Sequence, residues 1–278
     1  MEQQPSDIPL NYTTIRTTQS RIAKSLLAIP VSLLDLFPKT GDKIYIVDKD
    51  GSSIEKKFST YSSSTRECRI YGMKEFYTEF SIQDGDEIVI QKLDEGKYRL
   101  LPEALFRQKY QNALSAFENT EDEDSVNENL LEVKTIAHTD EKTVLENTFI
   151  KLSQQSEIQQ RKRSLIPQQP KRGSVSPAMK RILQAVYEGK CQVSGFTFLK
   201  QDGNPYFEVH HICETQGDHP KNLLALSPNV HRQFHFATVT EPAYENGWLI
   251  YIRINEAEHK VFQRIDLLQK EFQKEVHY

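Results

Sequence analysis

The sequence predicts an α+β chain with two domains, and three observations support this. Its 278 residues are many for one hydrophobic core. Residues 12–110 show mostly the short, turn-bounded apolar runs of β-strands, whereas strand and helix patterns alternate near the C-terminus. The stretch between them is first acidic, then basic and rich in turn residues. We therefore expect domains at 1–117 and 173–278, joined by a helical and acidic linker over 118–172.

The first domain is predicted to be a barrel or sandwich of short strands. Runs rich in Ile, Val and Tyr predict strands at Lys43–Val47, Glu87–Gln91 and Lys97–Leu101. Turns that contain Gly separate these runs. Two further stretches have helical patterns, Ala23–Leu36 and Met73–Phe80.

Charge is distributed unevenly, although the net charge is only −4. Residues 118–157 carry 3 basic and 11 acidic side chains, and residues 158–190 carry 8 basic and 1 acidic. The acidic run Glu118–Asp124 is predicted to be solvated, and a helix is predicted over Val144–Gln160. The basic segment has two interpretations: it contacts a phosphate backbone, or it is a solvated linker that balances the acidic charge.

Several classes of protein are excluded by composition. No apolar run approaches the roughly 20 residues of a membrane helix, and the polar N-terminus is unlike a signal peptide. The three cysteines, Cys68, Cys191 and Cys213, are too far apart to indicate a disulfide framework. We expect a cytoplasmic protein with no membrane partner.

In the second domain, Ser176-Pro177 predicts the start of a helix, with Ser as N-cap and Pro in the first turn, and Gly189 predicts its end. A strand is predicted over Trp248–Ile254, after the Asn246-Gly247 turn. Near the C-terminus, apolar residues at spacings of 4, 3 and 4 predict a helix that packs on the core or forms a dimer seam: Val261, Ile265, Leu268 and Phe272.

Five of the eight histidines lie within 26 residues, and this cluster is the strongest functional signal in the sequence: His210, His211, His219, His231 and His235. The segment Tyr206–His210 has the pattern of a strand, on which successive side chains point to opposite faces. One histidine of the 210–211 pair is therefore expected to face a metal, and the other to accept a proton. His219 lies in a Gly-Asp-His-Pro loop and is predicted to be a surface residue.

A predicted helix that starts at Ser227-Pro228 carries His231 and His235 on one face, one turn apart. Two imidazoles at this spacing can bind a single ion. One strand ligand and two helix ligands leave coordination positions open, as a catalytic metal site requires. The alternative is a set of structural histidines, but a strand-borne pair about 20 residues upstream is hard to attribute to chance.

These residues resemble a known family. Asp202–Ile212 followed by Asn222–His235 closely resembles the HNH (ββα-metal) nuclease domain, in the version found in McrA-like restriction enzymes, over residues 176–240. The resemblance implies one divalent metal held by three ligands: His210, His231 and His235. It also implies that His211 is the general base, that Asn222 fixes the ββα loop and orients His211, and that Glu208 is a supporting acidic residue.

The metal and its surroundings are less determined. All-imidazole ligation favours transition metals, so Mg²⁺, Mn²⁺, Ni²⁺, Zn²⁺ and Co²⁺ all stay open. Arg232 is interpreted as a phosphate clamp or as a surface charge. Many HNH domains hold a structural zinc with two Cys-x-x-Cys pairs, but Cys191–Ser194 and Ser227–Val230 retain one thiol of four, so no four-cysteine zinc is expected. We expect packing to replace it, through Val193, Phe196, Phe198 and the Trp248 strand.

Residues 14–105 resemble, more loosely, a DNA-binding pseudobarrel of the B-three type, which includes EcoRII-N-type recognition domains. The resemblance is carried by four segments: Ile29–Pro38, Ile44–Val47, Arg69–Gly72 and Gly85–Ile90. It implies that Arg16–Arg21 and Ser62–Arg69 grip the major groove, and both have side chains suited to phosphate and base contacts. The predicted DNA-binding residues are Arg16, Gln19, Arg21, Arg66 and Arg69; ordinary surface segments are the alternative.

The resulting hypothesis is a site-specific endonuclease that acts on double-stranded DNA, a restriction enzyme with or without a requirement for modified bases. One site per strand implies two copies or sequential nicking, so a homodimer stays open. Two alternatives belong to other classes: a DNA-binding regulatory protein with a silent HNH fold, and a non-specific toxin nuclease.

Overall fold

A computed structural model shows the protein as two compact units, the first with one sheet and the second with two. The residues it describes are 13–47, 51–62, 66–155 and 175–267. The two units are Met1–Leu114 with Glu132–Thr139, and Ser115–Leu131 with Asp140–Tyr278. The mixture of sheets and helices confirms the predicted α+β class. Among the described residues, no helix combines the length and the apolar character needed to span a membrane.

The first unit is built on a nearly closed seven-stranded sheet, as the predicted pseudobarrel requires, in the order β1-β6-β7-β3-β4-β5-β2. Neighbouring strands are antiparallel, apart from the parallel pair β3 and β7. The strands are β1 (Thr13–Arg16), β2 (Leu26–Ile29), β3 (Lys43–Val47), β4 (Ser53–Ser59), β5 (Cys68–Tyr71), β6 (Glu87–Asp94) and β7 (Lys97–Pro102). Two short α-helices of the described residues lie between them: α1 (Gln19–Ala23) and α2 (Lys74–Glu79).

The core of the first unit follows from strand periodicity. In β3, Ile44 and Ile46 are buried while Lys43 and Tyr45 are exposed, so alternate side chains face the core. The predicted helix over Ala23–Leu36 is wrong in its middle, where β2 lies; a 3₁₀ helix, Val31–Leu36, follows it. The four residues of β2 are all buried and pair with β5, and this long-range pairing outweighs local helical preference.

The first part of the segment predicted to be a helical and acidic linker is helical in the structure. Residues 103–154 form three helices, α3 (Glu103–Glu118), α4 (Glu123–Ala137) and α5 (Glu141–Gln154). The acidic residues begin α4, where Asp122 accepts a hydrogen bond from the backbone of Ser125 at 2.8 Å. Buried apolar residues at helical spacing are interspersed among them: Val126, Leu130, Val133 and Ala137. Residues 156–174, with most of the basic segment, lie outside the described residues.

The second unit mixes helices with two small sheets. The β8–β9 pair is antiparallel, and β10, β11 and β12 form a three-stranded sheet. The elements after α5 are α6 (Pro177–Tyr187), β8 (Glu208–His211), a 3₁₀ helix (Pro220–Asn222), β9 (Leu223–Leu226), α7 (Pro228–Phe236), β10 (Val239–Glu245), β11 (Trp248–Ile254) and β12 (Ala257–Lys260). The predicted strand over Trp248–Ile254 is confirmed by β11. In the predicted terminal stripe, Val261 follows β12 and is buried, whereas Leu268 and Phe272 lie outside the described residues.

Helix α6 is delimited by the residues that the sequence indicated. The Ser176 hydroxyl accepts a hydrogen bond from the backbone of Met179 at 3.2 Å. After Tyr187, Glu188 and Gly189 both take left-handed conformations. A side chain at Gly189 would place its Cβ 2.3 Å from the Cβ of Pro205, so only glycine fits here. This close approach holds the end of α6 against the segment that leads into β8.

Candidate metal centre

Strand β8 and helix α7 carry the histidines of the candidate site. The antiparallel pairing of β8 with β9 sets His210 opposite Leu224 and His211 opposite Leu223. Side chains on β8 alternate, so Glu208 and His210 share one face and His211 lies on the other. Helix α7 begins at Pro228 after Ser227, as predicted, and carries His231 and His235 one turn apart.

Three imidazoles converge between β8 and α7. Ring nitrogens of His210, His231 and His235 all lie within 4.8 Å of one another. The Nε2 atoms of His231 and His235 are 3.2 Å apart. Two nitrogens that each lie about 2.1 Å from one ion are separated by roughly 3.0–3.4 Å in tetrahedral or octahedral geometry. The three predicted ligands are therefore brought together, and the His231–His235 pair has the spacing of two ligands of one divalent ion.

Glu208 bonds to the candidate ligand His231 on the side of the ring that faces away from the cluster. Its Oε2 atom accepts a hydrogen bond from Nδ1 of His231, and its Oε1 atom accepts one from the hydroxyl of Tyr206 at 3.1 Å. A carboxylate at Nδ1 fixes the proton there and leaves the lone pair of the ring on Nε2, which faces the cluster. Glu208 thus orients His231, and Tyr206 in turn orients Glu208.

His210 is held in its neutral form. Its ring packs against Phe234, with 4.6 Å between the ring centroids. Burial lowers the pKa of His210 to about 4, and the neighbouring His231 and His235 add to the effect. Because only the neutral imidazole binds a metal, this residue is ready for coordination at neutral pH without losing a proton.

His211 has different surroundings on the opposite face. Its Nε2 atom donates a hydrogen bond to Oδ1 of Asp218 at 2.9 Å, and its side chain is 10% exposed. Asn222 is buried and binds the loop that follows β8. Its Oδ1 atom accepts from the backbone of Cys213 at 2.8 Å, and its amide donates to the carbonyls of Cys213 and Gly217, each at 3.1 Å.

Two residues of the loop were missed or misplaced by sequence reasoning. Asp218 carries no sequence signal, because a single acidic residue in a Gly-Asp-His-Pro loop is typical of surfaces. The prediction that His219 is a surface residue is wrong, since it is only 8% exposed. Its Nδ1 atom accepts from the backbone of Lys221 at 3.1 Å and its Nε2 atom donates to the carbonyl of Gln155 at 3.2 Å. His219 therefore caps the short 3₁₀ helix.

The positions that would hold a structural zinc surround one thiol. The sulfur of Cys191 accepts a hydrogen bond from the backbone of Ser194 at 3.4 Å, and the backbone of Ser227 also bonds to it. Burial raises the pKa of Cys191, but these hydrogen bonds outweigh it and the net shift is downward. A buried apolar cluster surrounds this turn: Leu224, Leu226, Val230, Leu249, Ile252, Ile254 and Val261.

Part of the packing expected in place of the zinc is contradicted. Phe196 and Phe198 are 55% and 44% exposed, so they do not fill the core. Val193 packs against the apolar cluster, as expected. Trp248 is buried and lies against Phe149 of α5, with 5.7 Å between the ring centroids. The aromatic partner of the β11 strand thus comes from the segment predicted to be a linker.

Two acidic residues, Glu67 and Asp84, bond to predicted DNA-binding residues of the first unit. Arg21 and Arg69 both pair with Glu67, at 3.1 and 2.8 Å, which joins the two predicted recognition segments. The guanidinium of Arg16 donates to the carbonyl of Gly85 at 3.2 Å, and the backbone of Gln19 donates to Asp84 at 2.9 Å. Arg66 is exposed in the first unit, and Arg232 is exposed on α7 of the second.

This geometry agrees with a family comparison. Residues 191–240 match the model of a family described as HNH endonuclease, and the matched range contains all the candidate site residues of β8 and α7. The chain therefore carries an HNH endonuclease domain, which belongs to the nuclease hydrolases.

One curated relative is the type IV methyl-directed restriction enzyme EcoKMcrA of Escherichia coli K12. It is 33% identical over 84 residues, which make up 28% of this chain and 29% of the relative. The chain thus matches less than a third of the length of that enzyme.

Two solved structures from Arabidopsis are also similar to part of the chain. One is a hypothetical protein, with 15% identity, a TM-score of 0.27 and coverage of 33% of this chain and 87% of that one. The other is the FUS3–DNA complex, with 19% identity, a TM-score of 0.28 and coverage of 32% and 93%.

Proposed function

We propose that the protein is a site-specific DNA endonuclease of the restriction type, which hydrolyses phosphodiester bonds with its C-terminal domain. The observation that carries the proposal is the convergence of His210, His231 and His235, with nitrogens within 4.8 Å, inside the residues that match the HNH endonuclease family. The partial relative is a methyl-directed restriction enzyme, which supports restriction as the activity and modified DNA as the substrate class.

The three histidines would hold one divalent ion per site. The donor set fits, because Glu208 directs the lone pair of His231 into the cluster and burial keeps His210 neutral. When bound, the ion supplies positive charge that stabilises the phosphate and the leaving oxygen. Imidazole ligands favour Mn²⁺, Co²⁺, Ni²⁺ or Zn²⁺ over Mg²⁺ by intrinsic affinity, and availability in the cell decides among them.

In this proposal His211 takes the proton of the attacking water. A neutral imidazole can take a proton from water at neutral pH. The Nε2 proton of His211 points at Asp218, so the lone pair of the neutral ring lies on Nδ1, which would accept the proton. Asn222 maintains the loop after β8 through its three backbone hydrogen bonds.

The first unit would read the DNA. Arg21 and Arg69 are ordered by Glu67, while Arg16, Gln19 and Arg66 present polar groups near them in sequence. Arg232 lies next to His231 on an exposed face, where it could clamp a phosphate oxygen of the cleaved strand. Cleavage of both strands would need two copies of the chain or two successive nicks.

The test is digestion of methylated and unmethylated plasmid by the purified chain with Mg²⁺, Mn²⁺, Co²⁺ or Ni²⁺, followed by sequencing of the ends. We expect cleavage at defined sites, and we expect His211→Ala to lower the rate by about 10²–10⁴-fold. His259→Ala, on strand β12, is the matched control and should cleave like the wild type. Absence of cleavage with every metal would indicate a silent HNH fold, and cleavage at random positions a non-specific nuclease.

A further inference from the structure

Asp218 connects two parts of the second unit through its two carboxylate oxygens. Oδ1 accepts the Nε2 proton of His211 at 2.9 Å, and Oδ2 accepts the backbone N–H of Ser176 at 2.7 Å. The side chain of Asp218 is 25% exposed and that of His211 is 10% exposed, so both are largely shielded from solvent. The imidazole of His211 is thereby attached to the N-terminus of helix α6.

The helix end favours an anion at this position. Ser176 is the N-cap of the 11-residue helix α6, whose aligned peptide dipoles place partial positive charge at this end. A carboxylate that is stabilised as an anion can only accept hydrogen bonds from the histidine. It therefore selects the tautomer of His211 with the proton on Nε2, and it fixes the rotation of the ring.

Asn222 contributes to the same arrangement, but indirectly. Its oxygen and amide bind the backbone of Cys213 and Gly217, and Asp218 is the next residue in the chain. The side chain of Asn222 is thus committed to the loop, whereas the contact with the ring of His211 is made by the residue that follows this loop. Asn222 thus holds the loop, the loop places Asp218, and Asp218 holds the ring of His211.

We propose that Asp218 is the positioning residue of His211, which it holds as the Nε2–H tautomer and anchors to the start of α6. This dyad goes beyond the roles inferred for Asn222 and Glu208. Its effect on cleavage rests on the proposed function, whereas its effect on the tautomer does not.

The tautomer is measured on the full chain without DNA, by NMR of ¹⁵N-labelled histidine at a pH where imidazole is neutral. In the wild type, the signals of His211, identified by their loss in His211→Gln, should show protonated Nε2 and unprotonated Nδ1. In Asp218→Ala they should move towards a mixture of the two tautomers. An unchanged tautomer in Asp218→Ala would overturn the proposal.

A variant at the helix start separates positioning from stability. Ser176→Ala removes the hydroxyl that caps Met179 but keeps the backbone N–H that binds Asp218. It should lower the melting temperature and leave the tautomer of His211 unchanged. If Ser176→Ala shifts the tautomer as far as Asp218→Ala does, the effect comes from a loosened helix and the proposal fails.

The catalytic consequence is tested by single-turnover cleavage of a DNA that the wild type cuts. Asp218→Ala should lower the rate constant by about 10–100-fold, the usual cost of losing a partner that orients a reactive group, with little change in DNA affinity. In the His211→Ala background the same substitution should have no further effect, because nothing is left to position. Equal losses in both backgrounds would show a structural role instead. If the wild type cuts no DNA, the proposed function fails and the NMR result alone decides the role of Asp218.

Discussion

The two faces of strand β8 give neighbouring histidines opposite surroundings. On one face, His210 lies among the imidazoles of α7 and the ring of Phe234, and burial lowers its pKa to about 4. On the other face, His211 donates a hydrogen bond to a carboxylate that is itself fixed at a helix end. Strand alternation thus gives two adjacent residues of the same type separate surroundings, which suits the proposed division into metal coordination on one side and proton transfer on the other.

The largest expected effect is on metal affinity, which a substitution on one face of β8 should lower and a substitution on the other face should not. His210→Ala removes a candidate ligand and should weaken binding of Mn²⁺ or Ni²⁺ by more than about 100-fold, which exceeds the 10–100-fold cost of losing an outer-shell partner. His211→Ala should bind these ions like the wild type. Titration calorimetry on the metal-free chain measures both. Equal losses in the two variants would show that β8 does not divide the roles by face.

The next largest effect concerns the packing of the end of α6 against Pro205, in the segment that leads into β8. Gly189→Ala places a methyl group against Pro205 in a left-handed conformation and should destabilise the second unit by about 2–4 kcal/mol. Gly203 also has a positive φ, but a Cβ there would meet no atom within 4 Å. Gly203→Ala should therefore lower the free energy of unfolding by only about 1–2 kcal/mol. Denaturant unfolding followed by the fluorescence of Trp248, the only tryptophan, reports on this unit. A Gly189→Ala variant no less stable than Gly203→Ala would contradict the close approach.

A smaller effect is expected from the residue that shares the face of His210. Glu208→Gln removes the charge behind His231 and should lower metal affinity by about 10–100-fold. Tyr206→Phe removes only the hydrogen bond to the other carboxylate oxygen and should have a weaker effect in the same direction. The same calorimetric titration compares the two. Unchanged affinity in Glu208→Gln would remove Glu208 from the support of the metal site.

The smallest effect comes from His219, which is buried outside both faces. Burial lowers its pKa, so below about pH 6.5 the unfolded chain binds a proton that the folded chain resists. The stability of the second unit should therefore fall as the pH drops from 7 towards 5, and His219→Gln should make this fall smaller. Unfolding of Trp248 at each pH checks this, with His259→Ala as a control that keeps the wild-type slope.

The convergence of the three candidate ligands could be predicted because coordination chemistry restricts both residue type and spacing. His231 and His235 needed only the period of a helix, and the separation of His210 from His211 needed only the period of a strand. Asp218 could not be predicted, since its contact with His211 depends on a loop whose path is set by the buried side chain of Asn222.

The errors in the fold have comparable physical causes. Strand β2 pairs with β5, about 40 residues further along the chain, and no local pattern reports such a pairing. In the acidic run Glu118–Asp124, the last four residues are exposed as predicted, and the buried apolar face of α4 begins after them, at Val126. Phe196 and Phe198 lie near the positions where many HNH domains bind a structural zinc. Both are exposed, so they do not supply the packing that was expected in place of the zinc.

The sharing of Glu67 by Arg21 and Arg69 has a consequence for selectivity. Each guanidinium is paired with Glu67 in the folded chain, so a ligand that bonds to both would meet side chains that are already oriented. The same ligand must replace an anion that is already in place, so a poorly matched one gains almost nothing. In the proposed DNA-reading surface, Arg21 and Arg69 would therefore favour a ligand whose negative charges fit both at once.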